Sequence, residues 1–405
     1  MVVVLVVVGA ISTFAYYAYT NVFSQGISTN TFGGLVVKQL DYETSHNVTG
    51  GSGTLAENIA MTIADGSQFS IVLNGKGSID SSNSTGKADI DMTISGSGKQ
   101  LASVPQGFFP LKISFSLIKT QESLYIAVTK IPPIVSGFVP QLASIYQEGT
   151  WVQLPKILQD SFEKGFLQGY NNARANNLGS NEPPISSFED LLNVAKTKTE
   201  KALSSVCGAA ASFDNWNSKS QDDKKAFAQA LDNCLDGAIS VSDVTSSTSN
   251  GKTLAVKIDP QKYLAFVVKI SDAICATGVN GQICQDNKNS LASINPDQLS
   301  SIYKNLNYTL TLGDADVVKS VHADFSMNGD QISSLAKTTQ STGPMGAPDL
   351  SSLKSMSVSV DGSFDLTAPA KISAPSSFIS AEELMMRYQV AMQQVASPAA
   401  KKVIK

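Results

Sequence analysis

Arginine is almost missing from this 405-residue chain: of 30 basic residues only Arg174 and Arg387 carry a guanidinium. The guanidinium fork is the preferred partner of phosphates and base edges, so its scarcity argues against nucleic acid as a partner. Charge of either sign is sparse, at 16% of residues with a net charge of -4, against about 25% in an ordinary globular protein. Histidine occurs twice, as His46 in a polar run and His322 at a polar position of an alternating segment. Both read as solvated side chains rather than catalytic bases.

The motifs of common chemistry are missing as well. "SNGKT" (249–253) ends like a phosphate-binding loop, but Ser246 stands where the backbone cradle needs glycine. Ser-x-x-Lys recurs at Ser116/Lys119, Ser334/Lys337 and Ser351/Lys354 without the companion motifs that make it catalytic. No Gly-x-Ser-x-Gly elbow exists. Asp314 and Asp316 lack calcium-loop spacing. The chain is read as no enzyme, with no cofactor and no metal.

What is present begins at the amino terminus. No charged side chain precedes Lys38, and Val2 to Tyr19 is a run of 18 uncharged, mostly apolar residues, just long enough to cross a bilayer. Tyr16, Tyr17 and Tyr19 fall where an aromatic belt would meet the interface. Residues 1–20 are expected to be a transmembrane anchor or an uncleaved signal. Residues 21–34 then form a spacer, and the globular part lies outside the cytoplasm, on a cell membrane crossed once.

The four cysteines, Cys207, Cys234, Cys275 and Cys284, suit an oxidising compartment. Pairing Cys207 with Cys234 and Cys275 with Cys284 is the simplest of three connectivities, and the spacings are too wide for a compact zinc knuckle.

From about Leu35 to Leu154 the dominant period is two. "GKADIDMTISGSG" (86–98) is apolar at Ala88, Ile90, Met92 and Ile94 and polar between them. "LKISFSLIKT" (111–120) puts Leu111, Ile113, Phe115 and Leu117 on one side, and "LYIAVTKI" (124–131) returns with Leu124, Ile126 and Val128. Hairpins in series imply antiparallel pairing. A helical insert is expected at about 156–305, with "SVSDVTSSTSNG" (240–251) as a polar turn inside it. Capping boxes are expected at Ser186/Glu189 and Ser380/Glu383. Strands resume after the insert, a helix occupies 380–396, and 397–405 is a basic tail. The fold class is α+β. One domain is expected over 35–396: a curved antiparallel sheet, a half-barrel, whose apolar face is covered by helices.

The run "LNGKGSIDSSNSTGKADIDMTIS", the hairpin ending "SLYIAVTKIP", the strand "EGTWVQLP" and the closing "VSVDGSFDLTAPAKISAPSSFISAEELM" together resemble the LolA/LppX-like lipoprotein-carrier superfamily. That resemblance implies a half-barrel closed by helices and holding acyl chains or lipids. The side chains expected to line such a face are Ile90, Met92, Phe115, Leu117, Ile126 and Phe325, with Met386 from the last helix. The function expected is a non-catalytic, membrane-anchored extracytoplasmic protein that binds or carries a lipid-like ligand. The alternative is a cell-surface structural or adhesive protein with no small-molecule ligand.

Overall fold

A computed structural model describes residues 31–46, 50–80, 85–99, 108–132, 147–154, 216–245, 251–276, 294–313, 317–333, 352–366 and 371–396, with isolated positions and short pieces between them. The expected anchor (1–20), most of the spacer and the basic tail lie outside the described residues. Among the described residues no helix is long and apolar enough to cross a membrane. The fold is mixed α+β, built on a large, open, mostly antiparallel sheet. The chain gathers into two compact units, one of residues 1–48 with 163–361, the other of 49–162 with 362–405.

The first described element of the first unit is helix α1, Phe32–Ser45. Thr31 caps it, its hydroxyl accepting from Gly34 N at 3.1 Å. The sequence expects a spacer and then strands here, and the structure places a helix instead. The cause is tertiary: Val37 and Leu40 are buried against Trp216, Phe227 and Ala228, with Val36 packed beside them. Phe227 and Ala228 belong to α2, Gln221–Leu235, whose Ser220–Asp223 capping box fixes its start. The two helices approach at Gly33, whose N–H donates to Asp232 Oδ1 at 2.6 Å. A charged pair is sealed into the same contact. Lys224 Nζ and Trp216 Nε1 both donate to Asp41 Oδ1 at 2.6 Å, and the ammonium lies 5.8 Å from the Trp216 ring centroid. Lys224 is only 5% exposed, so both charges depend on this geometry.

Strands β7 (Ile239–Asp243), β8 (Lys252–Ile258), β9 (Asn307–Leu312), β10 (Val318–Asn328) and β11 (Leu353–Asp365) belong to this unit, β11 as far as Asp361, in the order β11-β10-β9-β8-β7. The first part of the segment expected to be a polar turn therefore belongs to β7, paired Ile239↔Ile258 and Val241↔Val256; residues 246–250 of that expectation lie outside the described residues. One face of this sheet is dry, with Leu254, Val256, Tyr308, Leu310, Leu312, Val321, Ala323, Phe325 and Met327 all buried. Helices α3, Pro260–Ala276, and α4, Pro296–Tyr303, start on proline, whose fixed φ suits the first helical position. Their caps are Asp259, accepting from Gln261 N at 3.0 Å, and Asn295, accepting from Asp297 N at 2.9 Å.

Cys207 and Cys234 form the expected disulfide. Cys275 is also disulfide-bonded, while Cys284, its expected partner, lies outside the described residues. Glu189 of the expected capping box is likewise outside them; the hydroxyl that receives Asp190 N, at 3.0 Å, is that of Ser187.

The second unit is the expected meander: β1 (Gly50–Ile63), β2 (Gln68–Asp80), β3 (Thr85–Ser97), β4 (Leu111–Lys119), β5 (Leu124–Lys130) and β6 (Trp151–Leu154). A short β12, Ile379–Ser380, leads into α5, Ala381–Ala396. The strand order is β12-β6-β5-β4-β3-β2-β1, and only β12 with β6 is parallel. Polar turns hold the register. Asp65 accepts from Ser67 N at 2.8 Å, Asp80 accepts from Asn83 Nδ2 at 2.7 Å, and Thr120 Oγ1 accepts from Ser123 N at 3.1 Å. The Ser380 hydroxyl caps α5 by accepting Glu383 N at 3.1 Å, as the sequence implies.

Candidate functional site

In an antiparallel pair, residues directly opposite each other point to the same side of the sheet. The registers of the meander therefore define its faces row by row. One row reads Ile59–Ile71–Ile94–Leu111, the next Glu57–Leu73–Met92–Ile113, the next Leu55–Gly75–Ile90–Phe115–Val128, and a fourth Gly53–Gly77–Ala88–Leu117–Ile126. This is one apolar face, four to five strands wide, and from β1 to β5 none of its large side chains is buried. Most are half-buried, and Leu55 is 42% exposed. Burial on this face returns only at the β6 end, at Val152 opposite Ile126.

The sequence expects helices over this face. Among the described residues of this unit, burial at β4 and β5 lies on the other side. Ile118, Tyr125 and Ala127 are the buried apolar residues there, with the Tyr125 ring edge-on to Phe378 at 5.2 Å. Residues 133–146 and 155–163 lie outside the described residues.

The side opposite the apolar face is wet over β1 to β3. Asp89 receives the Ser116 hydroxyl at 2.6 Å and lies 3.4 Å from Lys87 Nζ and 3.9 Å from Lys76 Nζ. Partial burial pushes its carboxyl up, but the Ser116 hydrogen bond and the two lysines outweigh that and hold it below the usual carboxylate value.

Of the seven side chains expected to line a ligand site, five converge on the apolar face: Ile90, Met92, Phe115, Leu117 and Ile126. Ile90 stands opposite Phe115, and Leu117 opposite Ile126. Phe325 does not join them; it belongs to the first unit, on β10, where it is 7% exposed among that unit's core residues. Met386 lies on α5 and is 59% exposed.

One residue of this face escapes a reading of the sequence. Glu57 sits among Leu55, Ile59 and Leu73, and it is the one charged residue that β1, β2 and β3 place on this side. The lysines of β4 and β5 on or near this side, Lys119 and Lys130, are the last residues of their strands. No described residue pairs with the Glu57 carboxylate, and burial pushes its pKa up. The signal was present in "TLAENIAM": Glu57 occupies the alternation phase held by Leu55, Ile59 and Met61.

The glycines give this face its relief. A Cβ at Gly75, diagonal to Glu57, would meet Leu55 and Asp89 at ordinary van der Waals distances of 3.9–4.0 Å, so no clash requires glycine there. Glycine inside a strand can mark a bulge, a bend, or close approach by a ligand or another backbone.

In the first unit a second polar arrangement stands out. His322 Nδ1 lies 2.6 Å from Asp361 Oδ1, and its Nε2 lies 2.6 Å from Asp324 Oδ2. Burial lowers the imidazolium, but the hydrogen bonds and charges of Asp361 and Asp324 outweigh it, leaving the pKa raised. Asp324 is held low: burial raises it, and the Ser359 hydroxyl and His322 together more than offset that. With both ring nitrogens engaged by carboxylates, the protonated ring is favoured relative to a solvated histidine. Among the described residues no group of histidine, cysteine, aspartate or glutamate converges in a way that would hold a metal ion.

No known protein family, curated protein or solved structure matches this chain.

Proposed function

We propose that this chain is a membrane-anchored extracytoplasmic protein that binds or carries a lipid-like ligand without catalysing a reaction, and that its sheet curves into a half-barrel around that ligand. The observation that carries the reading is the apolar face of β1 to β5, which gathers Ile90, Met92, Phe115, Leu117 and Ile126 and leaves them half-buried. An exposed apolar surface that broad costs free energy in water, and contiguous patches of this kind mark ligand or partner sites. The disulfide between Cys207 and Cys234 supports an oxidising compartment, and the uncharged run from Val2 to Tyr19 supports the anchor.

Native mass spectrometry of the full chain, purified in a mild non-ionic detergent from a lipid-containing host, tests this. The expected result is a reproducible added mass that organic extraction releases and identifies as a lipid. A bare polypeptide mass, unchanged after incubation with a lipid extract, would overturn the reading and favour a surface structural or adhesive role.

A further inference from the structure

From the lone carboxylate in the apolar face we infer the head-group chemistry of the ligand: an amphiphile with a cationic amine head, whose ammonium pairs with Glu57 while its chain lies across Leu73, Met92 and Ile113. The inference rests on the lipid-binding reading and narrows it.

Three observations meet at this residue. Glu57 points to the same side as Leu55, Ile59, Leu73 and Met92, so its carboxylate is rimmed by hydrocarbon. No described residue supplies a counter-charge, although lysines are plentiful on the opposite side, where Lys76 and Lys87 attend Asp89. Diagonal to it, Gly75 presents no side chain to the face, with Ile90 and Phe115 continuing the row.

A partly desolvated anion without a partner is destabilising, and evolution usually removes such a group or pairs it. A bound ammonium repays that cost, because an opposite charge is attracted more strongly where water is partly excluded. A carboxylate or phosphate head would place a second negative charge beside the first. A hydroxyl head can donate one hydrogen bond but leaves the charge unneutralised. The face therefore discriminates among single-chain amphiphiles of equal length by head-group sign.

The test is a competition, read by native mass spectrometry of the full chain in mild non-ionic detergent, between dodecylammonium and dodecanoate at equal concentration near neutral pH. The expected result is at least about tenfold more bound amine than bound acid, a difference in affinity of about 1.4 kcal/mol. In Glu57→Gln, which keeps the shape and removes the charge, that preference falls to about unity while total binding persists. The neutral substitution relieves a partly buried charge, so the variant folds; circular dichroism checks it. Equal binding of the two probes by the unaltered chain overturns the inference and leaves the lipid-binding reading standing. A preference that survives in Glu57→Gln also overturns it, because the discrimination then comes from elsewhere. Binding of neither probe removes both.

Discussion

An imidazole with a carboxylate on each ring nitrogen keeps its second proton longer than a solvated histidine does. In the neutral ring only one nitrogen can donate, so one of the contacts to Asp361 and Asp324, both at 2.6 Å, would set lone pair against lone pair. The folded-state pKa of His322 is accordingly raised above 6.5. A raised pKa means that the folded state binds this proton more tightly than the unfolded chain does. The stabilisation is fully present below the unfolded value and is lost as pH rises through the folded one. We expect an NMR titration to place His322 above 6.5, and chemical denaturation to show stability declining across that window, a decline that His322→Gln flattens. A titration at or below the ordinary value would show that the two aspartates do not hold the proton. His322 was legible as a polar-face residue, since its phase in β10 is the wet one. Its partners were not, because Asp361 is 39 positions away and only strand pairing brings it close.

At the scale of elements, α1 packs closely against α2. A Cβ at Gly33 would lie 2.2 Å from the Ala228 carbonyl oxygen, a distance that forces the helices apart. Alanine ordinarily favours a helix over glycine, so Gly33→Ala is a case where packing and propensity pull in opposite directions. We expect packing to dominate, with a net loss of about 1–3 kcal/mol read by denaturant unfolding; a gain in stability would mean that the contact relaxes at little cost. This contact also shows why α1 was not foreseen. "LVV" at 35–37 fits a strand or a helix equally well, and what decides is Trp216 and Phe227, far along the chain. β7 was missed for a related reason: Ser240, Ser242 and Asp243 suggest a turn, and only pairing with β8 makes them a strand. By contrast, β2 to β5 were readable from alternation, and α3, α4 and α5 from proline or serine at their starts, because those signals are local. The same locality explains the candidate site. Five of the seven expected lining residues share a face because strand phase fixes it, while Phe325 and Met386 depended on tertiary arrangement that no local pattern encodes.

Across the whole molecule, the disulfide from Cys207 to Cys234 spans 27 residues of the first unit and ties α2 to the segment before it. A loop of that length restricts the unfolded chain by about 3–4 kcal/mol in the chain-entropy account. Replacing Cys207 and Cys234 together by serine should therefore lower the stability of this unit by about that much, read as faster amide hydrogen exchange in α1 and α2. Exchange unchanged in that double variant would mean that the helix contacts suffice alone.

The order of the chain adds a further consequence of the α1–α2 contact. Gly33 and Asp232 are 199 positions apart, and at about 5–20 residues per second a ribosome needs roughly 10–40 s to deliver the second after the first. During that interval Val36, Val37 and Leu40 have left the ribosome without the surface that buries them. The hairpins from Gly50 to Lys130, whose partners are their immediate neighbours in sequence, are complete well before α2 emerges. Among the described residues, the first helix to be made is thus among the last to be seated, and for those tens of seconds its apolar stripe is where a nascent-chain chaperone would find its grip.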